Sequence, residues 1–347
     1  MTMPRTPFGS TGVEISRLGL GTWQLGGPGS PRGWGEQDDD LSVRTIHRAV
    51  ELGVDWLDTA PAYGIGHSHE VVHRAIAALP EPERPLVFTK CGIGWREGET
   101  TYARDISPAA VRRECEEALR ALGLERLDLL QIHWPVEEPG AIEAAWTTMA
   151  ALAEEGKVRW IGVSNFDAAQ LERCQAIRPV DSVQPALSLL DRGNAADVLP
   201  WCAAHGAAAL VYSPLQSGLL TGSFTRARLR EGDWRVQGRN MRAEDHSHFL
   251  DPWLSQNLDL VERLRPIADR LGTTVLAVAI AWTLAWPGAT GAIVGARRPD
   301  AVEGWVPAAP LALDEAALDE IAEALAASGA GLGGAGTHRP PHAESLP

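Results

Sequence analysis

Eight times along this chain a short apolar run is followed by apolar residues at helical spacing, and that alternation restricts the fold more than any other feature. The runs are Leu18–Trp23, Val54–Asp58, Leu86–Lys90, Leu127–His133, Val158–Val163, Ser182–Gln184, Ala208–Tyr212 and Ala292–Gly295. Val43, Ile46 and Val50 mark a first helix that stops at Gly53, and His69–Ala78 a second. A third opens at Ser107-Pro108, an N-cap followed by proline, and carries Val111, Cys115, Leu119 and Leu122 along one face to Gly123. Further helices are expected over Ile142–Ala153, Ala168–Ala176, Ala195–Ala204, Leu258–Arg270, Val275–Leu284 and Asp314–Ala327. Leu127–His133 is almost continuously apolar, as a parallel strand covered on both faces must be. The expected fold is α/β: a single (β/α)8 barrel over residues 8–327, with an N-terminal β-hairpin between Phe8 and Ile15 and additional C-terminal helices. Ser328–Pro347 is rich in Gly and Pro and reads as a mobile tail.

Composition excludes several function classes. The chain of 347 residues is 45% hydrophobic, enough for a large core, and its length alone suggests two domains, a rule that α/β barrels regularly exceed. A formal charge of −14 argues against nucleic acid or an anionic membrane as partner, since both need clustered cations. Cys91, Cys115, Cys174 and Cys202 show no CxxC or other metal-type spacing, so reduced thiols in a cytoplasm are expected. No charged-then-apolar leader precedes Gly21, and no apolar run approaches the roughly 20 residues of a membrane span.

The ends of the strands carry the chemistry. Asp58 ends the second, Lys90 the third, His133 the fourth, Ser164-Asn165 the fifth, Gln184 the sixth, Tyr212 the seventh and Gly295-Ala296-Arg297 the eighth. In a closed barrel those ends meet at one rim, where active sites form. Tyr63 follows Asp58 by five residues across a turn bounded by Pro61 and Gly64, so an acid and a phenol reach one place from two sides of a loop. A free phenol, with a pKa of about 10, is a weak acid at neutral pH. A neighbouring Lys90 favours the phenolate, and Asp58 holds that lysine charged. His133 can orient a substrate oxygen or relay a proton. Tyr212 offers a flat face, and Asn165 and Gln184 are amides able to bond a carboxamide. Together they describe a general acid beside a nicotinamide-shaped slot.

Read in order, GLGTWQ at 19–24, LDTAPAYG at 57–64, FTKCG at 88–92, LLQIHWP at 129–135, WIGVSNF at 160–166, VQPALSLLDR at 183–192, YSPLQSGLLTG at 212–222 and IVGARRP at 293–299 resemble the aldo-keto reductase family, from about Phe8 to Ala327. The resemblance implies a catalytic tetrad of Asp58, Tyr63, Lys90 and His133. It implies NADP as cofactor, with contacts from Trp23, Gln24, Asp58, Ser164, Asn165, Gln184, Tyr212, Ser213, Pro214, Leu215, Ser217, Gly218, Gly295, Ala296, Arg297, Ala301 and Trp305. The substrate pocket is expected at Trp23, Tyr63, Trp95, His133 and Trp134, around a small-molecule carbonyl. The 2′-phosphate that distinguishes NADPH from NADH is expected on Arg297, with Arg298 beside it. Many members place an Arg or Gln and then an Asn where Ala301 and Trp305 stand, so the adenine end departs from the pattern. The implied activity is NADPH-dependent reduction of an aldehyde or ketone, keto-sugars included. A polyol or sugar dehydrogenase running in the oxidative direction is the alternative within enzymes, and a regulatory NADPH-binding β-subunit-like protein the alternative outside them.

One motif competes. His69-Glu70-Val71-Val72-His73 matches HExxH, which on a helix presents two zinc ligands and a catalytic Glu. Even with His67 nearby, no third ligand or supporting shell can be placed, so no metal is expected. The Arg-, Asp- and His-rich insertion Ser223–Asp251 reads either as a cover over the site or as an exposed linker. Most of the thirteen tryptophans read as packing, with Trp34 among those in βα loops.

Overall fold

The computed structural model describes residues 3–28, 33–94, 102–229, 233–237, 248–332 and 337–341. A two-stranded antiparallel hairpin, β1 (Arg5–Pro7) and β2 (Glu14–Ser16), precedes eight parallel strands. These are β3 (Leu18–Gly21), β4 (Trp56–Asp58), β5 (Leu86–Cys91), β8 (Leu127–Ile132), β9 (Val158–Ser164), β10 (Ser182–Gln184), β11 (Ala208–Tyr212) and β12 (Ala289–Gly295), and they close in that order into a barrel. A second small hairpin, β6 (Ile93–Gly94) with β7 (Ala103–Arg104), stands above the rim after β5. The helices between strands are α1 (Asp39–Glu51), α2 (His67–Ala77), α3 (Pro108–Leu122), α4 (Ala141–Glu154), α5 (Ala168–Gln175) and α6 (Val198–His205). Beyond β11 follow α7 (Trp234–Gln237), α8 (Trp253–Arg270) and α9 (Val275–Leu284), and beyond β12 come α10 (Pro299–Trp305) and α11 (Glu315–Ser328). No single described helix is long and apolar enough to cross a membrane.

The period of two along each strand divides the core. Trp56, Phe88, Leu129, Trp160, Leu210 and Ile293 point into the barrel, and Leu57, Val87, Leu130 and Ile161 point out against the helices. Phe8, from the hairpin, closes the barrel floor, stacked on Phe88 at 5.4 Å and edge-on to Trp160 at 5.1 Å. Gly19 leaves room for the Trp56 indole: a Cβ there would lie 2.4 Å from that ring. The helices begin where the sequence supplies caps. Asp38 accepts from Leu41 N at 2.6 Å, Ser107 caps α3, and Asp167 with Gln170 forms a full capping box on α5.

Boundaries differ from expectation for local reasons. The strand expected from Val54 starts at Trp56, because Val54 N still bonds Ala49 O at 3.0 Å and the Asp55 carboxylate turns back to Ser16 N at 2.8 Å. Helix α2 starts two residues early, at His67, and α6 starts at Val198, after a 3-10 turn at Gly193–Ala195. In the tail, Leu332 N donates to Leu190 O at 2.7 Å, and Arg339 pairs with Asp319 at 2.6 Å and with Glu315.

Candidate active site

Two backbones meet to place the phenol. Gly64 has φ +62, and a Cβ there would stand 1.8 Å from Gly26 O, so the turn after β4 touches the loop after β3. Tyr63 N bonds Ala60 O at 3.0 Å and Ser68 N bonds Tyr63 O at 3.2 Å, which ties the turn to the start of α2. Tyr63 is thereby held over the ends of β4 and β5.

Lys90 is fully buried. Its Nζ donates to Asp58 Oδ1 at 2.6 Å, Thr59 O at 3.2 Å and Tyr63 Oη at 3.3 Å. The other Asp58 oxygen accepts from Gln184 Nε2 at 2.7 Å, and that amide also donates to Gln131 Oε1 at 3.0 Å. A buried ion pair is tolerable when its remaining donors and acceptors are matched, and here they are. Burial lowers the Lys90 pKa, with the Asp58 charge opposing the shift. Burial likewise drives the Tyr63 pKa well above that of a free phenol, with the negative charge of Asp58 adding to it. Lys90 was expected to favour the phenolate; burial of the phenol opposes that and raises its pKa. Since Lys90 donates into the phenol oxygen, the phenol proton is left for another acceptor. The His133 ring stands edge-on to Tyr63 at 6.1 Å, its backbone N held by Cys91 O at 2.9 Å.

A cavity of about 780 Å³ opens over this group. Trp23, Gln24, Asp58, Tyr63, His133 and Trp134 line it, as do Ser164, Asn165, Gln184 and Tyr212. So do Ser213, Pro214, Leu215, Ser217 and Gly218 after β11, and Gly295, Ala296, Arg297 and Ala301 after β12. Lys90 lies behind the wall, in contact with Tyr63 and Asp58. Trp305, expected at the adenine end, does not reach the cavity; at 1% exposure it is part of the core beneath α10. Trp95 lies outside the described residues.

The wall suits a flat, polar-edged ligand. Tyr212 Oη donates to Asn165 Oδ1 at 2.7 Å, which fixes its ring. Asn165 Nδ2 donates to His133 O at 2.9 Å and Ser164 Oγ at 3.1 Å. The amides expected to bind a carboxamide thus have their N–H groups engaged within the protein. Among the described residues five non-glycine residues have positive φ, and four of them, Asn165, Ser213, Gln216 and Ser217, line the cavity. Backbone held in that region concentrates at binding sites, because packing elsewhere must maintain it. A stacking face, a proton donor and a long groove between the ends of β11 and β12 fit a nicotinamide dinucleotide.

Several residues at the site were not anticipated. Gln131, buried behind the wall and two residues before His133, supports Gln184, and the period of two could have revealed it. Trp34 and Trp234 join Trp23 in an aromatic wall, and Tyr102 and Arg104 from the β6–β7 hairpin also line the cavity, Arg104 lying over the Trp134 ring at 4.6 Å. The Arg297 guanidinium donates to Gln37 Oε1 at 2.8 Å, Trp34 O at 3.0 Å and Glu36 O. Arg298 is 67% exposed and pairs with Asp300 at 2.8 Å. In the HExxH stretch, His69 Nε2 bonds Thr89 Oγ1 at 2.9 Å and His73 Nδ1 bonds Leu122 O at 2.9 Å, so both rings tie α2 to its neighbours.

The model of the aldo/keto reductase family matches residues 17–326. The chain belongs to that family. Aldo/keto reductases are oxidoreductases that work with nicotinamide cofactors on small-molecule carbonyls. Over 302 residues, 87% of each chain, this aldo/keto reductase is 36% identical to the aldo-keto reductase YhdN of Bacillus subtilis. Over 336 residues, 93% of this chain and 99% of the relative, it is 33% identical to an NADH-specific methylglyoxal reductase of Escherichia coli. Among solved structures, the glycerol dehydrogenase AKR11B4 from Gluconobacter oxydans superposes with a TM-score of 0.83 at 34% identity, covering 94% of this chain and 97% of that one.

Proposed function

We propose that this protein is an NADPH-dependent reductase of aldehydes and ketones, with residues 8–327 as one catalytic unit. The observation that carries this reading is the buried relay Asp58–Lys90–Tyr63 opening on the cavity. The bound dinucleotide supplies a hydride. The chain's own residues do the rest. Tyr63, kept protonated by burial, gives its proton to the carbonyl oxygen. Lys90, donating into the phenol oxygen, stabilises the negative charge left there, and Asp58 holds Lys90. His133 flanks the place of the oxygen. The Tyr212 face and the loop at 213–218 hold the dinucleotide, with Gly295 and Ala296 beside them. Ala301 approaches the adenine end without a polar side chain. Arg298, with exposed donors beyond its single contact to Asp300, is the cation offered to the 2′-phosphate. The four cysteines are buried and free, which suits a reducing cytoplasm.

NADH is the second reading, favoured by the commitment of Arg297 to the loop at 34–37 and by the NADH-specific relative. Oxidation of a polyol is the same chemistry reversed, as the glycerol dehydrogenase neighbour suggests. The deciding measurement is turnover of a panel of aldehydes, ketones and keto-sugars with NADPH and NADH, and of polyols with the oxidised cofactors. Saturable carbonyl reduction preferring NADPH is expected, and Arg298→Ala should raise the KM for NADPH by about tenfold while leaving NADH nearly unmoved. Tight cofactor binding with no turnover across the panel would point to a regulatory protein instead.

A further inference from the structure

Arg297 lies in the cavity wall, yet three of its five N–H donors are committed to the segment that precedes α1. The contact is reciprocal. Gln37 Nε2 donates back to Arg297 O at 2.9 Å and to Ser42 Oγ at 3.0 Å, inside the first turn of α1. Guanidinium, amide and backbone thus form a closed clasp between the end of β12 and the loop after β3. A planar fork with donors on three sides matches three acceptors on one loop, which a lysine ammonium cannot do.

That loop carries Trp34. Its ring is edge-on to Trp23 at 5.5 Å and to Trp234 at 5.3 Å, and Trp23 and Trp234 lie 5.2 Å apart. The Trp23 ring is in turn 6.4 Å from Tyr63. The three indoles therefore form one side of the cavity beside the proton donor. Arg235, which also lines the cavity, lies 5.8 Å over the Trp34 ring and is held by Asp233 at 2.7 Å. Trp34 itself belongs to no helix or strand, and among the described residues its backbone carbonyl and that of Glu36 accept from Arg297, which ties its loop to the end of β12.

We propose that Arg297 is a positioning residue for the carbonyl substrate: its clasp on Gln37, Glu36 and Trp34 fixes the Trp23–Trp34–Trp234 wall, which selects carbonyl compounds with an aryl body. The inference rests on the reductase reading above and goes beyond it by naming the substrate class and the residue that maintains the selection.

The experiment uses the full chain, with Arg297→Ala, Arg297→Lys and Gln37→Ala compared with wild type. Two readouts are taken: KM and kcat for 4-nitrobenzaldehyde and for methylglyoxal with each cofactor, and binding of 4-nitrobenzaldehyde followed by quenching of tryptophan emission without turnover. All three variants should raise the KM for the aryl aldehyde by about tenfold, the scale of losing aromatic contacts, and raise it less for methylglyoxal. They should preserve the wild-type ratio of kcat/KM between NADPH and NADH, and the quenching titration should weaken in parallel. Failure of Arg297→Lys to restore aryl binding supports the clasp. A loss confined to NADPH would overturn the proposal in favour of a 2′-phosphate contact. Unchanged aryl binding in Gln37→Ala and Arg297→Ala, both folded by circular dichroism, would overturn it as well. If the wild type reduces neither aldehyde, the reductase reading fails by itself. The quenching titration then still decides the clasp: weakened binding in both variants upholds it, and unchanged binding overturns it.

Discussion

Tyr63 shows how a sequence can bring side chains together without fixing the environment that sets their acidity. The spacing of Asp58, Tyr63 and Lys90 put the three side chains at one rim, and they do meet, with Lys90 Nζ 2.6 Å from Asp58 and 3.3 Å from the phenol oxygen. Proximity to lysine favours the phenolate. Burial, which depends on the loop at 59–66 lying against Gly26 and is not written in the motif, reverses that tendency. Tyr63→Phe should therefore keep cofactor affinity while kcat for reduction falls about 100-fold or more, because a general acid contributes on that scale. Near wild-type turnover in the variant would remove Tyr63 from its role. The pH dependence has a definite sign. Reduction needs the protonated phenol, present below its pKa, and a raised pKa moves the alkaline loss upward. The kcat for reduction should hold level to about pH 10, the value for a free phenol, before it declines. A decline centred near pH 8 would mean that Lys90 outweighs burial after all.

Helix α2 carries the pattern that sequence alone could have assigned to zinc, and its packing gives the histidines other work. His69 is buried against Thr89 of β5, and its pKa is lowered to about 4 by desolvation first and by the Lys90 charge second. In the unfolded chain the ring titrates near 6.5. The native state holds it neutral, so its contribution to stability is complete above pH 6.5 and is lost progressively as pH falls toward 4. A shift of that size corresponds to about 3 kcal/mol between the two limits. Thermal denaturation from pH 7 to 4 should show Tm falling through that window, and His69→Gln, less stable at neutral pH, should lose less across it. An equal slope in the variant would assign the acid sensitivity elsewhere. Elements like this one were legible in their cores and not at their edges. The apolar face of α3 and the almost wholly apolar run of α9 set their positions from sequence, whereas the starts of α2 and α6 depend on turns whose partners lie far along the chain. The same holds for the site: strand-end residues follow from periodicity, but Trp34 reaches the cavity from a loop, and Trp234 and Arg104 from a four-residue helix and a two-residue strand too short to show a period.

The barrel as a closed body explains why both of its ends can be so different. At the upper rim, buried polar groups and left-handed backbone gather around Asp58 and Lys90, an arrangement that adds little stability by itself. The floor is apolar: Phe8 has no exposure, stacks on Phe88 and meets Trp160 edge-on, and Trp56, stacked on Phe88 in turn, fills the space left by Gly19. The hairpin was legible as a hairpin, but its function as a plug was not, since nothing local in Phe8-Gly9 reports that Gly9 stands against the backbone of Gly206 and Ala208. Removing the Phe8 ring leaves a cavity enclosed by rigid strands that cannot collapse around it. Phe8→Ala should therefore lower the free energy of unfolding by about 3–5 kcal/mol, measured by urea denaturation. The layer of Trp56, Phe88 and Trp160 stands between the floor and the rim, so effects at the two should largely add. At a temperature where the variant remains folded, kcat should stay within about twofold of wild type. A loss of less than about 1 kcal/mol would show that the floor relaxes around the gap, and a large fall in kcat at full folding would show that the hairpin governs the rim through the strands.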